Sequence, residues 1–162
     1  MTQADMTPEA LDAIRSDFIE KVGLIAQTDG LPRIAGRVMA LLIFDGDVVS
    51  FGDIADQLQV SRGSISSATR LLEDRGLIKR VGKPGQRQDF FRLADNPYEN
   101  MLNAVAANLD RARAEIDETL VQLPESTPEI WDRVQAYAQF YEEMGQAVIR
   151  SIENLKSGRS GT

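Results

Sequence analysis

Between Ser50 and Leu93 the sequence packs two helix starts, a glycine stop and a proline-glycine turn into one unbroken order. Ser50 with Asp53 three residues on resembles a capping box, and Val49 with Ile54 makes the hydrophobic staple around it. Ser61 repeats the cap, with Val60 and Ile65 as its staple, although Ser64 stands where the box would carry an acid. Gln57-Leu58-Gln59-Val60 between them has the length of a turn joining two helices. The second helix runs from Ser61 to Arg75, and Gly76 ends it. The period then shortens to that of strands, Leu77 to Gly82 and Arg87 to Leu93, joined by Lys83-Pro84-Gly85-Gln86. Proline and glycine at the two central positions of such a turn specify type II, because proline presets the first φ and glycine supplies a positive second one.

The flanks are helical. Thr7-Pro8-Glu9 is a helix start, and the stripe Leu11, Ile14, Phe18, Val22, Ile25 carries that helix to about Thr28, where Gly30 and Pro32 close it. A second helix, from about Pro32 to Phe44, is apolar on most faces and belongs in a core. Asp45-Gly46-Asp47 after it has two carboxylates but no further spaced oxygens, so it reads as a turn and not as a metal site. Asn96-Pro97 starts a helix of about 27 residues with Leu102, Leu109, Ile116 and Leu123 at every seventh position and Val105 and Ala112 between them, a coiled-coil-like seam. Pro124-Glu125-Ser126 breaks it and Thr127-Pro128-Glu129 restarts it. Ile130, Val134, Tyr137, Tyr141, Met144, Val148, Ile152 and Leu155 then form the stripe of the last helix, with Trp131, Ala138, Phe140 and Ile149 off it. The expected class is α+β, mostly helical: a winged helix-turn-helix with a two-stranded wing and long N- and C-terminal dimerisation helices. Its parts are an N-terminal helix over 1–30, the winged region over 31–95 and an antiparallel helical pair over 96–162, with residues 1–6 and 157–162 as frayed ends.

Composition narrows the chemistry. The 162 residues include no cysteine and no histidine, which excludes disulfides, thiolate nucleophiles, the usual zinc sites and histidine triads. What remains falls in no nucleophile motif, so no enzyme is expected, and no cofactor motif is present. The longest apolar run, Val38 to Phe44, falls far short of the ~20 residues that span a bilayer; with no leader-like N-terminus, the expectation is a cytoplasmic protein without a membrane partner. The net charge of −7 argues at first against a polyanion. It is unevenly spread: residues 61–93 hold eight basic side chains against Glu73, Asp74 and Asp89, while both ends are acidic.

That basic island coincides with the second capped helix and the hairpin. Facing away from Ile65, Ala68, Leu71 and Leu72 are Ser61, Arg62, Gly63, Ser64, Ser66, Ser67, Thr69 and Arg70, small hydrogen-bonding residues bracketed by guanidinium groups. They suit a helix that must approach a major groove closely. A solvated face can have the same composition. The hairpin, however, adds Lys79, Arg80, Lys83, Gln86 and Arg87, which read as a wing contacting the minor groove or phosphates. Double-stranded DNA is the expected partner. The rival reading is a winged-helix module that binds an acidic protein.

The stretch Val60 to Val81, with Ser-Arg-Gly-Ser-Ile-Ser-Ser-Ala-Thr-Arg-Leu-Leu followed by Glu-Asp-Arg-Gly-Leu-Ile-Lys-Arg, resembles the recognition helix and first wing strand of MarR-type transcriptional regulators. Gly85-Gln86-Arg87-Gln88-Asp89-Phe90-Phe91 resembles the Gly-x-Arg-x-Asp-aromatic-aromatic wing of the GbsR-like branch. The likeness covers about residues 20–100. It implies a homodimeric regulator joined through its terminal helices, with Ser64, Ser66, Ser67 and Arg70 on DNA and Arg87 supporting the wing, held by Asp89. Leu11, Phe18, Leu109, Ile116, Trp131, Tyr141 and Val148 are the residues expected at the dimer interface. A ligand-responsive repressor is expected, with a small-molecule effector of unspecified identity. Trp131, Tyr137, Phe140 and Tyr141, with Tyr98, read either as dimer core or as an aromatic cage for a cation.

Overall fold

The computed structural model describes residues 7–159, in two compact units, one up to Pro97 and one from Tyr98 on. The first contains α1 (Pro8–Thr28), α2 (Arg33–Asp45), β1 (Val49–Ser50), α3 (Phe51–Leu58), α4 (Arg62–Asp74), β2 (Ile78–Val81) and β3 (Phe90–Leu93). The helices α5 (Pro97–Gln122) and α6 (Pro128–Arg159) follow. Helix α6 runs through the stretch 157–159 expected to fray, while residues 1–6 and 160–162 lie outside the described residues.

Local chemistry sets these boundaries. The Thr7 hydroxyl accepts from the Ala10 amide at the start of α1, and Gly46, left-handed at φ 70°, caps α2 as the turn reading of Asp45-Gly46-Asp47 requires. The Asp45 carboxylate is taken up by Arg15 in two 2.6 Å hydrogen bonds. The same guanidinium donates to Gln57 at 2.5 Å, so one side chain ties α1 to the end of α2 and to α3. Arg37 donates to the Leu58 carbonyl at 3.0 Å, covering the open C-terminal end of α3.

Helix α2 is the axis of the first unit: Ala35, Val38, Ala40, Leu41 and Leu42 are almost wholly buried, packed with Ile54, Ile65, Leu72, Leu77 and Phe91. Helix α1 crosses it on a face other than the sequence stripe suggests. Ile19, Gly23 and Ala26 are the buried positions, with Phe18 and Val22 partly covered, whereas Leu11, Ile14 and Ile25 are 46%, 48% and 58% exposed. Two glycines decide this. A Cβ added to Gly36 would lie 2.5 Å from the Ala26 Cβ and 2.7 Å from the Val22 carbonyl, and one added to Gly23 would meet Arg37 Cγ at 2.8 Å. The helices therefore touch backbone to backbone. Gly36→Ala is expected to lower stability by about 2 kcal/mol, the usual cost of overpacking, despite its better helix propensity; a urea titration followed by circular dichroism measures it.

The sheet has three antiparallel strands in the order β1-β3-β2, one more than expected. β1 is only two residues long, too short to show a period, and its Ser50 doubles as the cap of α3. Phe90–Leu93 pairs Ile78–Val81 on one side, and Phe91 and Phe90 pair Val49 and Ser50 on the other. The expected strand starting at Arg87 begins only at Phe90; residues 82–89 are exposed and lie outside the strand pairing. The Asp89 carbonyl instead accepts from the Phe51 amide at 2.8 Å. The type II turn forms as expected, with Gly85 at φ 79° and the Gln86 amide donating to the Lys83 carbonyl at 3.1 Å.

In the second unit α5 and α6 run antiparallel, joined by the Glu142–Arg113 and Lys156–Glu99 ion pairs. The heptad positions Leu102, Leu109, Ile116 and Leu123 are half-buried as a seam, while Val105 is 41% exposed. On α6, Ala138 is fully buried although it lies off the expected stripe, and Tyr137 on that stripe is 54% exposed. A small residue at 138 lets the two helices approach.

Candidate nucleic-acid interface

The Ser61 hydroxyl accepts the Ser64 amide at 3.1 Å and starts α4. From there the sequence alternates between a core face and an outer face. Ile65, Ala68 and Leu72 are buried, and Leu71 is half-buried. Ser61, Arg62, Gly63, Ser64, Ser67 and Arg70 are exposed, and Ser66 is half-buried. Thr69 is the exception and corrects the sequence reading. It is 2% exposed, and its hydroxyl donates to the Ile65 carbonyl at 2.9 Å, so it faces the core and has no surface to offer DNA. Thr69→Val, which keeps the shape and removes the hydroxyl, is expected to leave duplex affinity unchanged when measured by fluorescence anisotropy on folded protein.

Gly63 has room. A Cβ there would meet only Ser61 Oγ, at 3.9 Å, so nothing in the fold requires a glycine, which costs about 0.5–1 kcal/mol relative to alanine within a helix. The missing side chain leaves the outer surface of α4 low next to the Ser61 and Ser64 hydroxyls, themselves 2.9 Å apart.

The wing's cations divide into two groups. Lys79 pairs with Asp95, which also binds Arg92 at 2.9 Å; Lys79 first and then Arg92 hold the Asp95 carboxyl below the ordinary carboxylate range. Arg80 joins Glu73 of α4 at 2.9 Å and Asp89 of the wing at 3.0 Å, over the Phe91 ring, and Glu73 chiefly raises its already high pKa. Asp89 therefore holds Arg80 and not Arg87 as expected, because β2 brings Arg80 alongside both acids. By contrast Arg62, Arg70, Arg75, Lys83 and Arg87 form no ion pair among the described residues; Lys83 lies over Phe90 at 4.3 Å and Arg62 over Phe51 at 4.9 Å. Lys79 and Arg80 are thus structural cations of the wing, and Lys83, Gln86 and Arg87 are its outward-facing residues. Because the depressed Asp95 pKa stabilises the fold above the ordinary carboxylate range and loses that contribution as pH falls through it, Lys79→Ala is expected to raise the Asp95 pKa in an NMR titration.

Phe51 was not picked out from the sequence, yet it organises this surface. Its ring lies 6.5 Å from that of buried Phe91 on one side and under Arg62 on the other. An aromatic residue directly after a helix cap was the available signal.

In the second unit, Tyr137 meets Tyr141 edge-on at 5.1 Å, and Phe140 meets Tyr141 at 5.7 Å. The hydrogen bond to Tyr137 raises the Tyr141 pKa. Trp131 lies instead beside Leu120, Leu123 and Pro124, and Tyr98 is at the opposite end of the hairpin, near the region of Lys156. The chain does not by itself assemble these five rings into a cage. A shallow surface recess of about 390 Å³ is lined by Ile116, Val134, Tyr137 and Tyr141. Of the other expected interface positions, Leu109, Ile116, Tyr141 and Val148 are half-buried and Leu11 and Trp131 exposed, while Phe18 is engaged within its own protomer, 5.8 Å from Phe44.

Residues 29–89, from the end of α1 to the end of the wing loop, match the family model described as MarR family. This stretch therefore resembles a MarR-family domain. The curated relatives are described as transcriptional regulators and not as enzymes. The chain is 35% identical over 83 residues to the HTH-type transcriptional regulator MmpR5 of Mycobacterium tuberculosis, covering 51% of this chain and 50% of that one. It is 24% identical over 106 residues to the HTH-type transcriptional repressor OpcR of Bacillus subtilis, covering 64% and 57%. The chain thus spans only about half the length of the curated relatives it matches. A solved structure described as a transcriptional regulator shares the fold, with a TM-score of 0.73 at 24% identity over 89% of this chain and 99% of that one.

Proposed function

We propose that the protein is a DNA-binding transcriptional regulator that acts as a homodimer, each protomer laying α4 in a major groove with its wing against the adjacent backbone. The observation that carries this is the outer face of α4: an unforced glycine, exposed serines and Arg62 and Arg70, followed at once by a wing with Lys83 and Arg87, all four cations without an acidic partner among the described residues. Two such heads on a palindromic site would read half-sites about one helical turn, ~34 Å, apart. The apolar side chains left exposed on α1 and α6, among them Leu11, Ile14, Trp131 and Phe140, supply the surface for the second copy. No helix among the described residues is long and apolar enough to cross a membrane, in keeping with a cytoplasmic regulator.

Repression is the favoured sign, as in the repressor among its relatives. The wing pattern ending in Asp89-Phe90-Phe91 favours the GbsR-like branch, and the recess beside Tyr137 and Tyr141 is the place for a small-molecule effector. Light scattering on the purified 17.9 kDa chain is expected to return twice that mass. In gel retardation with the DNA upstream of its own reading frame, the dimer is expected to shift at 50 mM salt and Arg70→Ala with Arg87→Ala to abolish the shift; an unshifted wild type removes the reading.

A further inference from the structure

Arg62 and Arg87 come from different elements, the first turn of α4 and the wing loop, yet both line one surface recess of about 350 Å³ with Phe51, Gln88 and Asp89. The only acid in that recess is Asp89, whose carboxylate is already paired with Arg80 at 3.0 Å. Two arginines thus line the same space, where the one carboxylate is shared with a third arginine, Arg80. Arg62 lies over the Phe51 ring, and the wing backbone two residues beyond Arg87 is joined to the start of α3 by the Phe51 amide donating to the Asp89 carbonyl at 2.8 Å. Two arginines brought to one recess from different elements suit an anion between them, and guanidinium groups suit phosphate because their donors match its oxygens.

We propose that Arg62 and Arg87 close on one and the same backbone phosphate of a DNA duplex, so that the recess locks recognition helix and wing into a single register on the DNA. This rests on the DNA-binding reading above and adds to it a shared grip, where the sequence suggested two separate contacts.

The test is fluorescence anisotropy of the full chain with a 40-base-pair duplex of mixed sequence between 50 and 200 mM KCl, because phosphate contacts do not depend on sequence. Each neutralised phosphate contributes about 0.9 to the slope of log K against log salt. Arg62→Gln with Arg87→Gln is expected to make the slope shallower by about 0.9, with an affinity loss smaller than the product of the two single losses, whereas Arg75→Gln leaves the recess contribution intact. A change of about 1.8 with multiplying losses means two separate phosphates and overturns the shared grip, as does an unchanged slope. If the glutamine pair melts early by circular dichroism, Arg62→Lys with Arg87→Lys carries the test: affinity falls about tenfold at an unchanged slope, and undiminished affinity overturns the proposal. Inorganic phosphate at matched ionic strength is expected not to compete, and competition lost in the double variant would assign the recess to the free ion. A wild type that binds no duplex at 50 mM sinks the DNA-binding reading itself, whereas a binding wild type with unaltered variants sinks only the clamp.

Discussion

Phe91→Ala is expected to cost about 3–5 kcal/mol of folding free energy, the range for deleting a buried aromatic side chain. Phe91 is 1% exposed and sits in the central strand of the sheet, pairing through its backbone with both Val49 and Arg80. Its ring also supports Phe51, which carries Arg62, and lies under the Arg80 guanidinium that ties α4 to the wing. The loss would therefore reach the surface as well as the core. Even in conditions where the variant stays folded, Arg62 and the wing should lose their fixed relation and duplex affinity should fall. Phe91→Leu, which keeps most of the volume, is expected to cost less than half as much. Chemical denaturation of the three proteins measures the stability, and anisotropy on the folded fraction measures the affinity.

Gly63→Leu should weaken binding without lowering stability. The Cβ position is open, with only Ser61 Oγ at 3.9 Å, and Gly63 lies in the first turn of α4, so the substitution is expected to leave stability unchanged or to raise it by up to about 0.8 kcal/mol, the interior propensity difference. If α4 enters a groove, the same side chain stands between the helix and the bases. We expect about a hundredfold loss of duplex affinity, equivalent to roughly 2.7 kcal/mol, alongside a melting temperature no lower than that of the wild type. A merely solvated α4 face would tolerate leucine with its affinity intact. Gly63→Ala, adding one methyl group, should fall between the two in binding, again without lowering stability.

Much of the architecture was legible in the sequence because it is written in local chemistry. The caps at Thr7, Ser50 and Ser61 and the turn at Pro84-Gly85 depend on residues within three or four positions of one another, and each forms where the sequence places it. What the sequence did not disclose depends on residues far apart in the chain. Gly23 and Gly36 look unremarkable singly, and only the crossing of α1 and α2 makes both necessary and turns the buried face of α1 toward Ile19 and Ala26. Strand β1 exists only because Phe90 and Phe91 arrive beside it. Thr69 sits one position beyond Ala68 on the edge between core and surface, and helical spacing alone did not decide its side.

The same distinction holds for the candidate interface. The basic island was visible as a count, but the count did not separate cations that hold the wing together from cations that face outward. Lys79 and Arg80 meet acids at positions 95, 73 and 89, pairings set by the sheet register, whereas Arg70 and Arg87 meet none among the described residues. The charge available for a polyanion is therefore smaller than the composition of residues 61–93 suggests, and it is concentrated on α4 and the wing loop.

Hydroxyl-radical footprinting of the purified protein on the DNA upstream of its reading frame tests the central claim most directly. Two heads each placing α4 in a major groove predict two protected patches on one face of the duplex, centred about 10–10.5 base pairs or a multiple of that apart, weakened together by Arg70→Ala. Absence of protection at 50 mM salt, or protection that survives Arg70→Ala and Gly63→Leu unchanged, would contradict it.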